Sequence, residues 1–246
     1  MTYKNGIALL ILALLSACEN SGEELYRAAS GCNEKEVSAL LSKEAISYRD
    51  EYGRTAAHRA ATCRGDFSAL RAIVDYAPDI VHSENNRHGT PLFSAFGPND
   101  YQKVLFLLDR GSNIHQYDQD ELGRYGLLER ALTTSPVETI RLLIERGAEV
   151  TPASFYKAIW YSNAETLALL LPKLDPGIVN SPDSLGHYPI ETAINRGEID
   201  ILVTLLEVGA DTDIRFKNGK TPLEHAESKG ENEMALVIEG FIERPM

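Results

Sequence analysis

Alanine keeps a period along this chain. Ala28, Ala60, Ala95, Ala131, Ala158, Ala193 and Ala226 each follow by three residues an apolar position or its small substitute: Leu25, Ala57, Leu92, Leu128, Phe155, Ile190 and Leu223. A spacing of three places both side chains on one face of a helix. Downstream of each alanine an apolar pair recurs, as Leu40-Leu41, Ile73-Val74, Leu107-Leu108, Leu143-Ile144, Leu170-Leu171, Leu205-Leu206 and Val237-Ile238. The alanine intervals are 32, 35, 36, 27, 35 and 33 residues. Each unit is therefore expected to hold two short helices. A period in this range marks units that cannot bury their apolar faces alone and must stack.

The residues that open and close the helices carry a family resemblance. Gly53-Arg54-Thr55, Gly89-Thr90-Pro91-Leu92, Tyr188-Pro189-Ile190 and Gly219-Lys220-Thr221-Pro222-Leu223 stand before first helices. Arg110-Gly111-Ser112-Asn113, Arg146-Gly147-Ala148-Glu149 and Val208-Gly209-Ala210-Asp211 stand after second helices. This pattern resembles the ankyrin repeat over about residues 23–240. The resemblance implies an all-α ankyrin-repeat solenoid of about seven helix-turn-helix units, the first and last serving as caps, with β-hairpin-like fingers between units. Thr caps the first helix, and Pro at its first position has no N–H to leave unpaired. Glycine after the second helix supplies a left-handed C-cap. The unit from Pro152 to Asp183 lacks the Thr-Pro-Leu-His box. The interval of 27 implies a nearly absent finger before it, and those of 35 and 36 imply lengthened fingers around His82–His88 and Gln116–Gly123.

The N-terminus has a different pattern. Lys4 precedes an unbroken apolar stretch from Ile7 to Leu15, too short to span about 30 Å of hydrocarbon at about 1.5 Å per residue. It reads as a signal peptide over residues 1–17. Leu15-Ser16-Ala17-Cys18 resembles the bacterial lipobox, which implies acylation of Cys18, a lipidated N-terminus and short tether over residues 18–23, and a repeat domain over residues 24–246. Glu19 following the cysteine implies, by the same resemblance, sorting to the outer membrane with the domain facing the periplasm. The alternative is a buried helix ending in a free thiol.

Charge narrows the partner. With 24 Lys+Arg against 36 Asp+Glu, a formal charge of −12 disfavours nucleic acid and anionic lipid surfaces. Membrane contact is expected through the lipid on Cys18 only. No cofactor, metal site or catalytic constellation is expected. His58 matches the repeat's turn histidine and is read as structural. The other five histidines lack metal-ligand spacing. Gly219-Lys220-Thr221 lacks the earlier glycine of a P-loop, Ile214 standing there. Cys32 and Cys63 fall in the turns between first and second helices of neighbouring units, either bonded or as two free thiols.

Ankyrin-repeat proteins dock partners on fingertips and the exposed ends of first helices. Carried over by register, this nominates Glu51, Tyr52, Arg54, Asn86, Arg87, Tyr117, Asp118, Asp120, Glu121 and Tyr125. Further along it nominates Trp160, Tyr161, Leu185, His187, Phe216, Lys217 and Asn218. The Trp160-Tyr161 pair suits an interface anchor, or else Trp160 packs over the shortened finger as local core. Asp118, Asp120 and Glu121 suggest a basic partner surface, or else a solvated loop. The resemblance extends to short ankyrin-repeat lipoproteins that act as immunity proteins against antibacterial phospholipase toxins. A scaffold or chaperone for another periplasmic or outer-membrane protein is the alternative.

Overall fold

The computed structural model describes residues 21–97, 100–120 and 123–243, with side chains at Asp120 and Gly123 outside the description. The signal peptide, Cys18 and Glu121 lie outside the described residues. Residues 21–23 of the expected tether are already helical, because Glu23 pairs with Arg27 one turn on, at 2.9 Å. Among the described residues no helix is long and apolar enough to cross a membrane.

The chain divides into two compact units, residues 1–148 and 149–246. In the first, the first helices of successive pairs are α1 (residues 21–30), α4 (Ala56–Ala61), α6 (Pro91–Ser94) and α8 (Leu127–Ala131). The second helices are α2 (Glu34–Leu40), α5 (Ser68–Tyr76), α7 (Tyr101–Asp109) and α9 (Val137–Glu145), and a short α3 (Lys43–Ile46) follows α2. α4 packs on α6, α2 on α5 and α7 on α9. In the second unit, α10 (Pro152–Tyr161), α12 (Pro189–Arg196) and α14 (Pro222–Lys229) are first helices. Their partners are α11 (Ala164–Leu170), α13 (Ile199–Glu207) and α15 (Asn232–Ile242). α10 packs on α12 and α12 on α14, while α11 packs on α13 and α13 on α15.

All seven period-marking alanines are buried, Ala28 at 3% exposure and the others at 0%. A methyl group there lets neighbouring first helices approach closely. The helix starts follow from local chemistry. Thr221 Oγ1 accepts from the Glu224 N–H (3.3 Å), while Glu224 returns a carboxylate to the Thr221 N–H (2.9 Å). At α8 the threonine is replaced by Gly126, and Glu129 caps that N–H at 3.0 Å.

The fingers share one construction. At residues 50–54, 85–89, 183–187 and 216–220 the first N–H donates to the fifth carbonyl, and the fourth N–H donates back to the first carbonyl. The fourth residue is left-handed: Gly53 (φ 75°), His88 (φ 64°), Gly186 (φ 79°) and Gly219 (φ 81°). In three fingers the first side chain also accepts N–H groups from the third and fifth residues, at 2.8–3.1 Å, from Asp50, Asn85 and Asp183. Those N–H groups are thereby satisfied inside the turn.

The lengthened intervals resolve in two ways. In the first, β1 (Tyr117–Asp120) pairs antiparallel with β2 (Gly123–Gly126). Around His82–His88 the extra length is instead a 3-10 helix, Pro78–His82, leading into a finger of ordinary size. Its proline at the first position favours that compact turn over a strand. Two further 3-10 helices, Leu171–Lys173 and Pro176–Asn180, take up the later interval of 35.

Candidate functional site: fingers and first helices

Neighbouring fingers in the first unit are bonded to each other. The Asn86 N–H donates to the Tyr52 carbonyl (2.9 Å) and its amide to the Glu51 carbonyl (3.0 Å). Arg49 bridges the Gly53 and Glu84 carbonyls at 3.0 and 3.1 Å. One finger further, Arg87 and Gln119 exchange backbone and guanidinium bonds at 3.0 Å. Arg87 also donates to the Tyr125 hydroxyl (3.1 Å) and lies 3.4 Å from the Asp118 carboxylate, to which Tyr125 donates (3.0 Å). Three successive fingers thus form one bonded platform.

This platform changes the reading of the nominated residues. Asp118 is engaged by Arg87 and Tyr125, so it does not present a free negative charge to a basic partner. Arg54 is held by Asp50 at 2.7 Å while its guanidinium lies 4.8 Å from the centre of the Tyr52 ring. Tyr52 remains 56% exposed. The Asp50 carboxyl is buried enough to raise its pKa, yet bonds from Arg54 and Tyr26 hold it below its usual range. Burial, then the bond to Asp50, pushes the Tyr26 hydroxyl up to about 12. Asp118→Ala is expected to loosen the hairpin locally by about 1–2 kcal/mol, since Tyr125 and Arg87 lose an ionised acceptor. The check is faster amide exchange at residues 117–126 with residues 56–76 unchanged.

In the second unit Trp160 and Tyr161 stand 44% and 62% exposed at the end of α10, so Trp160 is not the buried local core that was its other reading. Leu185 is 67% exposed, with its carbonyl accepting from the Lys217 ammonium. His187 lies 3.8 Å from Asp183. Phe216 corrects the expectation of a docking residue. It is 3% exposed, stacked on Tyr188 (6.2 Å) and edge-on to His225 (5.3 Å). Here an aromatic core under the finger replaces the Asp or Asn that opens the other fingers. Asn218 stays exposed, with its side-chain amide 3.3 Å from His225 Nδ1.

His58 is structural, as its position implies. It is 1% exposed, its Nδ1 accepts from the Thr55 N–H (3.1 Å), and its Nε2 donates to the Gly89 carbonyl in the next finger (3.0 Å). Burial lowers its pKa to about 4 from the ordinary 6.5. Below pH 6.5 the unfolded chain therefore binds a proton that the folded chain refuses. Stability present above that pH is expected to fall by roughly 3 kcal/mol as pH drops towards 4. Urea midpoints measured from pH 7 to 4 check this, with His58→Asn flattening that part of the slope.

Cys32 and Cys63 are joined, with Cα atoms 5.8 Å apart. The Cys63 carbonyl accepts from the Lys103 ammonium at 2.9 Å. Lys103 is only 7% exposed, and burial lowers its pKa against the opposing charge of Asp100. Asp100, 1% exposed, accepts from Thr139 (2.5 Å), Ser135 (2.6 Å) and the Gly97 N–H (2.8 Å). A polar thread therefore runs from the first helix-turn-helix unit to the fourth at the ends opposite the fingers. Sequence reading missed it, although Lys103 one residue before Val104 and four before Leu107 was a signal of a charge on the buried face.

Sequence reading also passed over a second recurrence. Arg27-Ala28-Ala29-Ser30, Arg59-Ala60-Ala61-Thr62 and Arg130-Ala131-Leu132-Thr133 place an arginine beside the period-marking alanine and a hydroxyl three residues on. Each hydroxyl donates to a backbone carbonyl of its own helix, at 2.7–2.9 Å. Among the described residues no group of three or more metal-ligating side chains occurs.

No protein-family model matches the chain. It is 23% identical over 228 residues to phosphocholine transferase AnkX of Legionella pneumophila, covering 92% of this chain and 20% of that protein. It is 27% identical over 210 residues to ankyrin repeat protein nuc-2 of Neurospora crassa (84% of this chain, 16% of that one). With the B-cell lymphoma 3 protein homolog of Mus musculus it shares 27% identity over 183 residues (73% and 34%). The chain thus spans a fifth or less of the first two. The human ASB11 ankyrin repeat domain superposes with a TM-score of 0.66 at 18% identity, covering 90% of this chain and 98% of that one. Stacked helix pairs, Thr-Pro helix starts and interlocked fingers, together with these likenesses, identify the chain as carrying the all-α ankyrin-repeat fold, whose repeats generally serve protein–protein contact.

Proposed function

We propose that this protein is a non-catalytic docking module held at the bacterial envelope by a lipid on Cys18, where it captures one partner protein. The bonded finger platform of the first unit is the observation that carries the reading. It presents Tyr52 and the hairpin on a backbone already fixed, while the buried polar groups serve the fold. The anchor rests on the lipobox resemblance of residues 15–18, and palmitate labelling lost in Cys18→Ser would support it.

In its specific form, the partner is an antibacterial phospholipase-type toxin and the protein is its immunity factor, sequestering the toxin in the periplasm. This form rests on the resemblance to ankyrin-repeat immunity lipoproteins. Crosslinking the lipidated protein in its native envelope, followed by mass spectrometry, is expected to recover one lipase. Cells lacking the gene should become sensitive to their siblings. Equal resistance with no lipase recovered would overturn the toxin form, and recovery of no protein partner at all would overturn the docking reading.

A further inference from the structure

The turn that ends α1 is bonded like those that end α12 and α14. The Cys32, Gly197 and Gly230 N–H groups donate to the carbonyls of Ala29, Ile194 and Glu227, three residues back. The next N–H in each turn reaches back five residues, to the period-marking Ala28, Ala193 or Ala226. This closure needs a left-handed residue, a conformation that glycine adopts without a Cβ penalty. α12 and α14 have Gly197 (φ 69°) and Gly230 (φ 77°) there, whereas α1 has Cys32 at φ 57°. A cysteine is unfavourable for the backbone at this position, so what it contributes is its sulfur. The two ends of the Cys32–Cys63 bond are also unequally placed. Cys32 is exposed. Cys63 is 3% exposed, its sulfur lies 3.6 Å from the Ala29 carbonyl oxygen, and its own carbonyl is held by the buried Lys103 ammonium.

We infer that Cys32 is a thiol-exchange site, the sulfur at which an external thiol opens the bond, with Cys63 as the leaving sulfur. Exchange depends on which sulfur an attacking thiolate can reach. The thiolate bonds to Cys32 Sγ as the Cys32–Cys63 bond breaks, and the electron pair leaves on Cys63 Sγ, which takes a proton from water. A second thiol then attacks the mixed disulfide, leaving Cys32 reduced and the two external thiols joined. Two electrons pass from those thiols to the protein. Opening the bond removes the covalent tie between α1 and the next unit. α1 also braces the first finger and α4, because Tyr26 donates to Asp50 (2.5 Å) and Ser30 accepts from Arg59 (2.9 Å). Exchange at Cys32 is thereby a redox-sensitive loosening of the finger at residues 50–54, whatever partner docks there.

Brief exposure of the oxidised full chain to glutathione, quenched with iodoacetamide and mapped by peptide mass spectrometry, tests the inference. Glutathione is expected on Cys32 with the alkyl group on Cys63, in at least tenfold excess over the reverse arrangement. A Cys-x-x-Ser variant of a dithiol oxidoreductase, tried alongside, distinguishes the thiol source: adducts with glutathione alone assign a small thiol, and adducts with the oxidoreductase a protein one. In single-thiol variants, Cys32 in C63S should react with a chromogenic aromatic disulfide at least tenfold faster than Cys63 in C32G, which keeps the left-handed turn. Amide exchange at residues 50–54 should rise once glutathione has opened the native chain. Glutathione equally or more on Cys63, or no adduct with either thiol where the urea-unfolded chain forms one, would overturn the site, and this mapping decides even if a variant fails to fold. Unchanged exchange at residues 50–54 would overturn the coupling to the finger.

Discussion

Asp100→Ala is expected to destabilise the first unit by about 3–5 kcal/mol, the range for removing one member of a buried charged network. The Thr139 and Ser135 hydroxyls and the Gly97 N–H each lose their acceptor. Lys103 keeps the Cys63 carbonyl but loses the nearby negative charge that favours its protonated form. Leaving buried donors unmade costs more than a made bond contributes, so Asp100→Asn, which keeps an acceptor, should cost about half as much. Amide exchange should rise along α7 and α9 first. The double variant D100A/K103M should recover part of the loss, because the stranded cation is then gone. A loss in Asp100→Ala below about 1 kcal/mol would mean that water replaces the carboxylate and that the site is not dry.

Reducing the Cys32–Cys63 bond has the next largest expected effect. The cysteines close a loop of sequence separation 31, and chain-entropy bookkeeping for a loop of this length gives about 4 kcal/mol. In a stacked-repeat protein that loss falls on the terminal units rather than on the whole chain. Exchange protection is therefore expected to fall in residues 21–61 and to hold in α9. Phosphine reductant and C32S/C63S should give the same result. Two alkyl groups added to unreduced protein would overturn the prediction, as would equal exchange in both states.

Much of the fold is legible because it rests on local spacing. An alanine three residues after an apolar position marks the face of a first helix, and Thr-Pro marks its start, so the units can be counted without any tertiary knowledge. The finger residues are a different case. That Asp118 is engaged by Arg87, or that Asn86 is tied to Glu51, depends on which fingers lie side by side, and no periodicity within one finger carries that. Phe216 was misplaced for the same reason. Its burial depends on Tyr188, at the helix start of the preceding unit, as well as on His225 of its own α14. Asp118 reads from sequence as free negative charge because sequence shows charges and not their neighbours.

Because the fingers at residues 50–54, 85–89 and 117–126 are already fastened to one another, a partner arriving there has little disorder to remove. Association should then proceed with small entropic loss and a nearly rigid encounter. Variants that alter the contact should mainly change how long the complex lasts rather than how fast it forms. Cutting the bonds between fingers, by contrast, should slow capture even where every contacting side chain is retained.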